Sequence, residues 1–146
     1  MRAIVIAIGN VLRRDDGAAH RVVGQASWPV QCAECTRICA VTQLTPELAE
    51  EISTFDRVLF IDADITAGAP RIEPICDEAH PVLGHSSSPA QIVGLAARLY
   101  GFRGSAFLCR VPGKDFGPGE GLSPTAEANV IAAADLAAFW LQASLE

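Results

Sequence analysis

Apolar and polar residues follow one another along this chain in blocks whose period changes. Arg2 to Ile8 is almost wholly apolar and reads as a buried strand. Asp16 to Ser27 places Ala19, Val22, Val23 and Ala26 three and four positions apart, the spacing of a helix with one apolar side. Pro29 separates that helix from Glu34 to Val41, which alternates like a strand. Thr45-Pro46-Glu47 then supplies a cap residue followed by proline at the first helical position, opening a helix to about Ser53. Arg57 to Ala63 is a second buried strand and Arg71 to Cys76 a short one. Ser88-Pro89 repeats the cap-and-proline signal ahead of Ile92, Leu95, Ala96 and Leu99, and Gly101 stops that helix. Ser105 to Val111 is the last strand, "PGKDFGPGEG" a loop, and Ser123-Pro124 the start of a terminal helix to about Ala143.

Strands alternating with helices in this order predict an α/β fold: a single three-layer domain, residues 1–146, with a mostly parallel twisted sheet and helices on both faces. Ligand sites in such sheets form beyond the carboxyl ends of the strands. Three candidates fall there: Asp15 and Asp16 after the first strand, Asp62 with Asp64 at the end of "LFIDAD", and His85 in "LGHSSSP". An unpaired carboxylate among Phe60, Ile61 and Ala63 is costly to bury, which points Asp62 toward a function. A carboxylate at 15 or 16 also suits a helix N-terminus, and a loop histidine often bonds only to backbone. His20 and His80 lie outside the loops aimed at this rim.

Composition narrows the chemistry. Half of the 146 residues are hydrophobic and 19% are charged, which suits a globular core, not a disordered chain. A formal net charge of −6 leaves no basic footprint for nucleic acid or an anionic membrane, and accommodates a cation more easily. The opening apolar run is too short for a signal peptide, and no run reaches the roughly 20 apolar residues of a membrane span. A cytoplasmic protein is therefore expected. Cys32, Cys35 and Cys39 invite a metal reading, but on a strand Cys35 and Cys39 would stand about 13 Å apart. No second CxxC pair exists, so all five cysteines are read as buried structural thiols, Cys76 and Cys109 within apolar segments.

The turn "AIGNVLRRDDG" sits where a phosphate-binding loop would, yet it lacks both GxGxxG and GxxxxGK[ST], and its carboxylates oppose phosphate. A serine hydrolase is disfavoured because no GxSxG is present, and Cys109 has the surroundings of an inert thiol. One imidazole with two carboxylates instead matches a divalent transition metal such as nickel or zinc.

Four blocks, "IGNVLRRDDG", "VLFIDAD", "GHSSSPAQIVGLAARLYG" and "VPGKDFGPGEGLSPTAEANV", occur in the order and at the spacing found in the nickel-iron hydrogenase maturation endopeptidases. The chain resembles that family over nearly its whole length. The resemblance implies a phosphorylase/hydrolase-like fold and a peptidase that removes a C-terminal extension from a hydrogenase large-subunit precursor after nickel insertion. It places the metal contacts on Asp16, Asp62 and His85, with the nickel supplied by the precursor and zinc or another divalent ion able to occupy the same site. Asp16 and Asp62 are the catalytic candidates, with Asp16 favoured to position or deprotonate the attacking water. Asp15 is read as a helix-end stabiliser and, with Gly9, Asn10 and Asp64, as a residue that meets the substrate. Two departures stand out: Asp16 occupies a position where many members carry Glu, and "QLTPEL" replaces a glycine-rich segment. The same ligands would also serve a nickel-site checkpoint that does not cleave, or a related peptidase acting on another protein.

Overall fold

The computed structural model describes residues 1–29, 35–66, 68–76 and 87–144. Among these residues five strands form one sheet in the order β2-β1-β3-β5-β4. The strands are β1 (Ala3–Ile8), β2 (Thr36–Val41), β3 (Arg57–Asp64), β4 (Arg71–Pro74) and β5 (Ser105–Pro112). The first three and β5 run parallel, while β4 lies antiparallel along the outer edge of β5. Among the described residues four α-helices accompany them: α1 (Ala18–Gln25), α2 (Glu47–Ile52), α3 (Pro89–Tyr100) and α4 (Pro124–Ser144). The expected α/β class, mostly parallel sheet and three layers are all present.

Both faces of the sheet are covered because β1 and β3 are apolar at every inner position. Ala3, Val5 and Ala7 of β1, with Leu59 and Ile61 of β3, pack under α1 and α4. Ile4, Ile6, Val58 and Phe60 face the other way, under α2 and α3. Burial of Ile4, Val5 and Ile6 removes all their surface from water and contributes about 2 kcal/mol apiece. Alanines 18, 19, 133 and 137, all buried, let α1 and α4 approach closely on their shared face.

Several boundaries moved for local reasons. The helix expected from Asp16 begins at Ala18, because Arg14–Gly17 form a separate 3-10 turn, and it ends at Gln25 where Ala26 turns extended. The strand expected from Glu34 starts at Thr36 among the described residues. The short strand ends at Pro74, which has no N–H for the ladder, although Ile75 still donates to Ala106. The cap of α3 is as the sequence signals: the Ser88 hydroxyl accepts from the Gln91 N–H while the Gln91 side chain accepts from the Ser88 N–H. Gly101 closes that helix at φ 71. Ser88→Ala should cost about 1 kcal/mol, read as a lower urea midpoint with an unchanged slope; no shift would show that the cap is idle.

The cysteines depart from the reading of uniformly buried thiols. Cys109 is buried, and burial pushes its thiol up to about 12, which makes it inert. Cys39 is only half-buried because β2 is an edge strand, and Cys76 is exposed beyond the end of β4. Cys35 is half-buried just ahead of β2, and Cys32 lies outside the described residues. No described helix is long and apolar enough to cross a membrane.

Candidate active site

The chain leaves β1 toward β2 on one side and enters β3 on the other, so the strand order reverses between β1 and β3. Their carboxyl ends therefore flank a switch-point crevice, where ligands of open α/β sheets bind. Ile8 at the end of β1 is the register partner of Asp62 on β3. Asp16 comes back to this point through the turn that follows β1, and its carboxylate accepts the Asn10 N–H at 2.8 Å.

Gly9 makes that return possible. A Cβ on Gly9 would lie 1.9 Å from the Asp16 carbonyl oxygen, a distance no side chain tolerates, so only glycine lets the two segments close. Asn10 accepts the Leu12 N–H on its side-chain oxygen at 2.9 Å and the Arg13 N–H on its carbonyl at 3.0 Å, which fixes the turn. Arg14 sits at φ 48, in the left-handed region that non-glycine residues seldom enter. It is held there by its N–H to the Gly119 carbonyl at 3.0 Å and by an ion pair with Asp115 at 3.6 Å.

Asp15 and Asp16 are adjacent in sequence and opposite in role. Asp15 is fully buried, and its carboxylate accepts the N–H groups of Lys114, Asp115 and Ser123 at 2.7, 2.9 and 2.7 Å and the Ser123 hydroxyl at 2.6 Å. Burial works to raise its pKa, but the donors from Asp115, Ser123 and Lys114 together outweigh it and hold the carboxyl below the usual range. Asp15 is a helix-end stabiliser, as the sequence suggests, but of α4, more than 100 residues away, and not of its own helix. Gly113 belongs to the same arrangement: a Cβ there would come within 2.9 Å of the Asp15 Cβ.

Asp62 has the opposite environment. It shares the sheet face of Val58 and Phe60 and is mostly buried at the strand end. Burial first, and then the charge of Asp16, push its carboxyl from 3.8 to about 7; Asp64 adds to the rise, while the Ala63 N–H and Arg110 oppose it. Asp64 is engaged elsewhere. One of its oxygens accepts the N–H and hydroxyl of Thr66 at 3.1 and 2.5 Å, and the other accepts from Arg110 at 3.2 Å. Arg110 also donates to Glu73, so one guanidinium ties β3, β5 and β4 together at this rim. Sequence reading missed Arg110; its signal was a lone cation in an apolar strand, at the register position of Asp62.

Asp16 and Asp62 are thus brought together, with Asp62 sensing the Asp16 charge, and Gly9 and Asn10 shape the turn that delivers Asp16. Asp64 stands two residues beyond Asp62 in an ion pair. His85 and His80 lie outside the described residues. His20 bonds the Val41 carbonyl at 3.0 Å through a ring nitrogen. No three His, Cys, Asp or Glu side chains among the described residues are grouped to hold a metal by themselves. A carboxylate whose proton affinity is raised first by burial and then by the charge of Asp16 nevertheless suits an incoming cation, which would offset both.

No protein-family model matches the chain, and no curated protein sequence matches it. Solved structures do. The hydrogenase maturating endopeptidase HybD from E. coli is 25% identical, with 99% of this chain and 94% of that one covered and a TM-score of 0.69. The [NiFe] hydrogenase maturation protease HycI from Thermococcus kodakarensis KOD1 is 20% identical, with 97% and 92% covered and a TM-score of 0.75. The [NiFe] hydrogenase maturation protease HybD from Thermococcus kodakarensis is 21% identical, with 97% and 99% covered and a TM-score of 0.68. The chain that the four sequence blocks liken to the nickel-iron hydrogenase maturation endopeptidases has the fold of the hydrogenase maturation endopeptidases over 97 to 99% of its length.

Proposed function

We propose that this protein is a peptidase that processes a hydrogenase, removing the C-terminal extension of a nickel-iron hydrogenase large-subunit precursor once nickel has been inserted. The observation that carries this reading is that Asp62, at the end of β3, and Asp16, on the turn after β1, both lie at the switch point of a fold shared with proteases of that kind. The nickel is part of the substrate. Asp16, Asp62 and His85 are the residues proposed to meet it, and the same donor types would accept zinc or another divalent ion.

Asp62 is the better general base. In the substrate-free protein burial and the charge of Asp16 hold its carboxyl up at about 7, so it takes a proton more readily than an exposed carboxylate does. As the water oxygen adds to the scissile carbonyl carbon, Asp62 takes the water proton. As the C–N bond breaks, that proton passes to the leaving amine nitrogen. Asp16 supplies the neighbouring negative charge, fixed in place by the Asn10 N–H. This assigns the proton transfer to Asp62 and positioning to Asp16, the reverse of the preference drawn from sequence.

The test uses the purified protein with nickel-loaded and nickel-free precursor, the C-terminus of each followed by mass spectrometry. Only the nickel-loaded form should be shortened. Shortening of both forms would remove the nickel requirement, and shortening of neither would remove the peptidase reading.

A further inference from the structure

Two turns at the rim of this site are built alike. Asn10 and Asp64 each stand two residues beyond the register pair Ile8 and Asp62 on neighbouring parallel strands. Each uses its side-chain oxygen to accept the N–H two residues on, Asn10 from Leu12 at 2.9 Å and Asp64 from Thr66 at 3.1 Å. The residue in between is held outward in both cases, and in both it is branched and apolar: Val11 is 50% exposed and Ile65 79%. Leu12, beside Val11, is 58% exposed, and its carbonyl accepts the Gly119 N–H at 2.8 Å.

Single exposed apolar side chains are ordinary on a protein surface. Leu99 and Tyr100 at the end of α3, and Ile131 and Phe139 on α4, are exposed in that way. The rim residues differ because hydrogen-bonded turns at equivalent positions direct them into solvent, on the two loops that adjoin Asp16 and Asp62. A loop backbone already fastened by such bonds has less ordering left to undergo on binding, which favours contact with a partner.

We propose that Val11, Leu12 and Ile65 form the surface that takes up apolar side chains of the precursor on either side of the bond to be cut. This rests on the peptidase reading above. The choice of occupant follows from continuity with the site and from charge: the carboxylates between the two turns call for a positive centre, and the turns for apolar flanks. A protein segment lying beside a bound cation has both. A nucleic acid or an anionic lipid surface has the wrong sign.

The experiment compares the wild type with a V11T/L12Q/I65T variant, using nickel-loaded large-subunit precursor as the probe and measuring both binding and cleavage. The three side chains are exposed, so the melting temperature of the variant should match that of the wild type. The variant should lose about tenfold or more in kcat/KM, carried in KM more than in kcat, with a matching loss in precursor affinity. A V11I/I65V exchange, which keeps the apolar character, should restore both. Equal binding and cleavage by wild type and the triple variant would overturn the proposal and leave the peptidase reading intact. Binding without cleavage by the wild type would overturn the peptidase reading, and the rim would then stand or fall on whether the variant binds more weakly. Neither binding nor cleavage by the wild type would overturn both.

Discussion

Asp62→Asn should end processing and, at pH 8, make the substrate-free protein more stable. The folded protein raises the Asp62 pKa from 3.8 to about 7, so above pH 7 it carries a charge that its surroundings disfavour, at a cost of about 4 kcal/mol. The sign follows from the proton count. Between pH 4 and pH 7 the folded state binds the Asp62 proton and the unfolded state does not, so this contribution to stability declines as pH rises through that window and is flat above it. Asparagine removes the charge at every pH. The gain should therefore be largest at pH 8, shrink through pH 6 and vanish near pH 4, measured by urea unfolding at each. A variant no more stable than wild type at pH 8, or a gain that ignores pH, would show that Asp62 is not strained. A carboxylate kept where it destabilises the fold is the pattern of a group retained for chemistry.

Asp15→Asn should act in the opposite direction and through a different part of the molecule. The Asp15 carboxylate gathers three backbone N–H groups and one hydroxyl, and an amide turns an NH2 group toward donors that need an acceptor. A loss of about 3 to 5 kcal/mol is expected at pH 7, the size that accompanies removal of one partner from a buried charged network. Here the folded pKa lies below the unfolded 3.8, so the stabilisation is present above that value and is lost as pH falls through the folded one. The deficit of the variant should close in strong acid. Hydrogen exchange should show the damage at the amides of residues 114, 115 and 123; unchanged protection there would refute the clamp. Together the two aspartates predict a wild-type stability that declines from pH 4 to 7, because of Asp62, and also falls below pH 4, because of Asp15.

The sequence read most plainly where local rules decide. The apolar run of β1, the Ser88-Pro89 cap and the Gly101 stop are short-range signals, and each holds in the structure. Asp62 was legible too, because a carboxylate that interrupts an apolar strand is conspicuous and its raised pKa is the physical content of that anomaly. Asp15 was legible only in part. Its charge suggested a helix end, but which helix depends on a loop folded back from the far side of the chain, and no local pattern encodes that. The direction of β4 and the exposure of Cys39 and Cys76 were likewise hidden, since both follow from which strand lies at the edge of the sheet. Asn10 and Asp64 are read from sequence as groups that meet the substrate; the structure adds that their side-chain oxygens hold turns, a use that needs the hydrogen-bond partner two residues on to be seen.

The clamp made by Asp15 also has a consequence in time. It joins positions 108 residues apart, and such distant contacts form late because the chain between them must first be gathered in. While the chain is being synthesised, β1 and the turn bearing Asp16 emerge well before the partners that fasten the turn, Lys114, Asp115 and Ser123. A nascent chain that has not yet reached Ser123 would carry Asp16 and Asp62 without the bonds from Ser123 that fasten the turn.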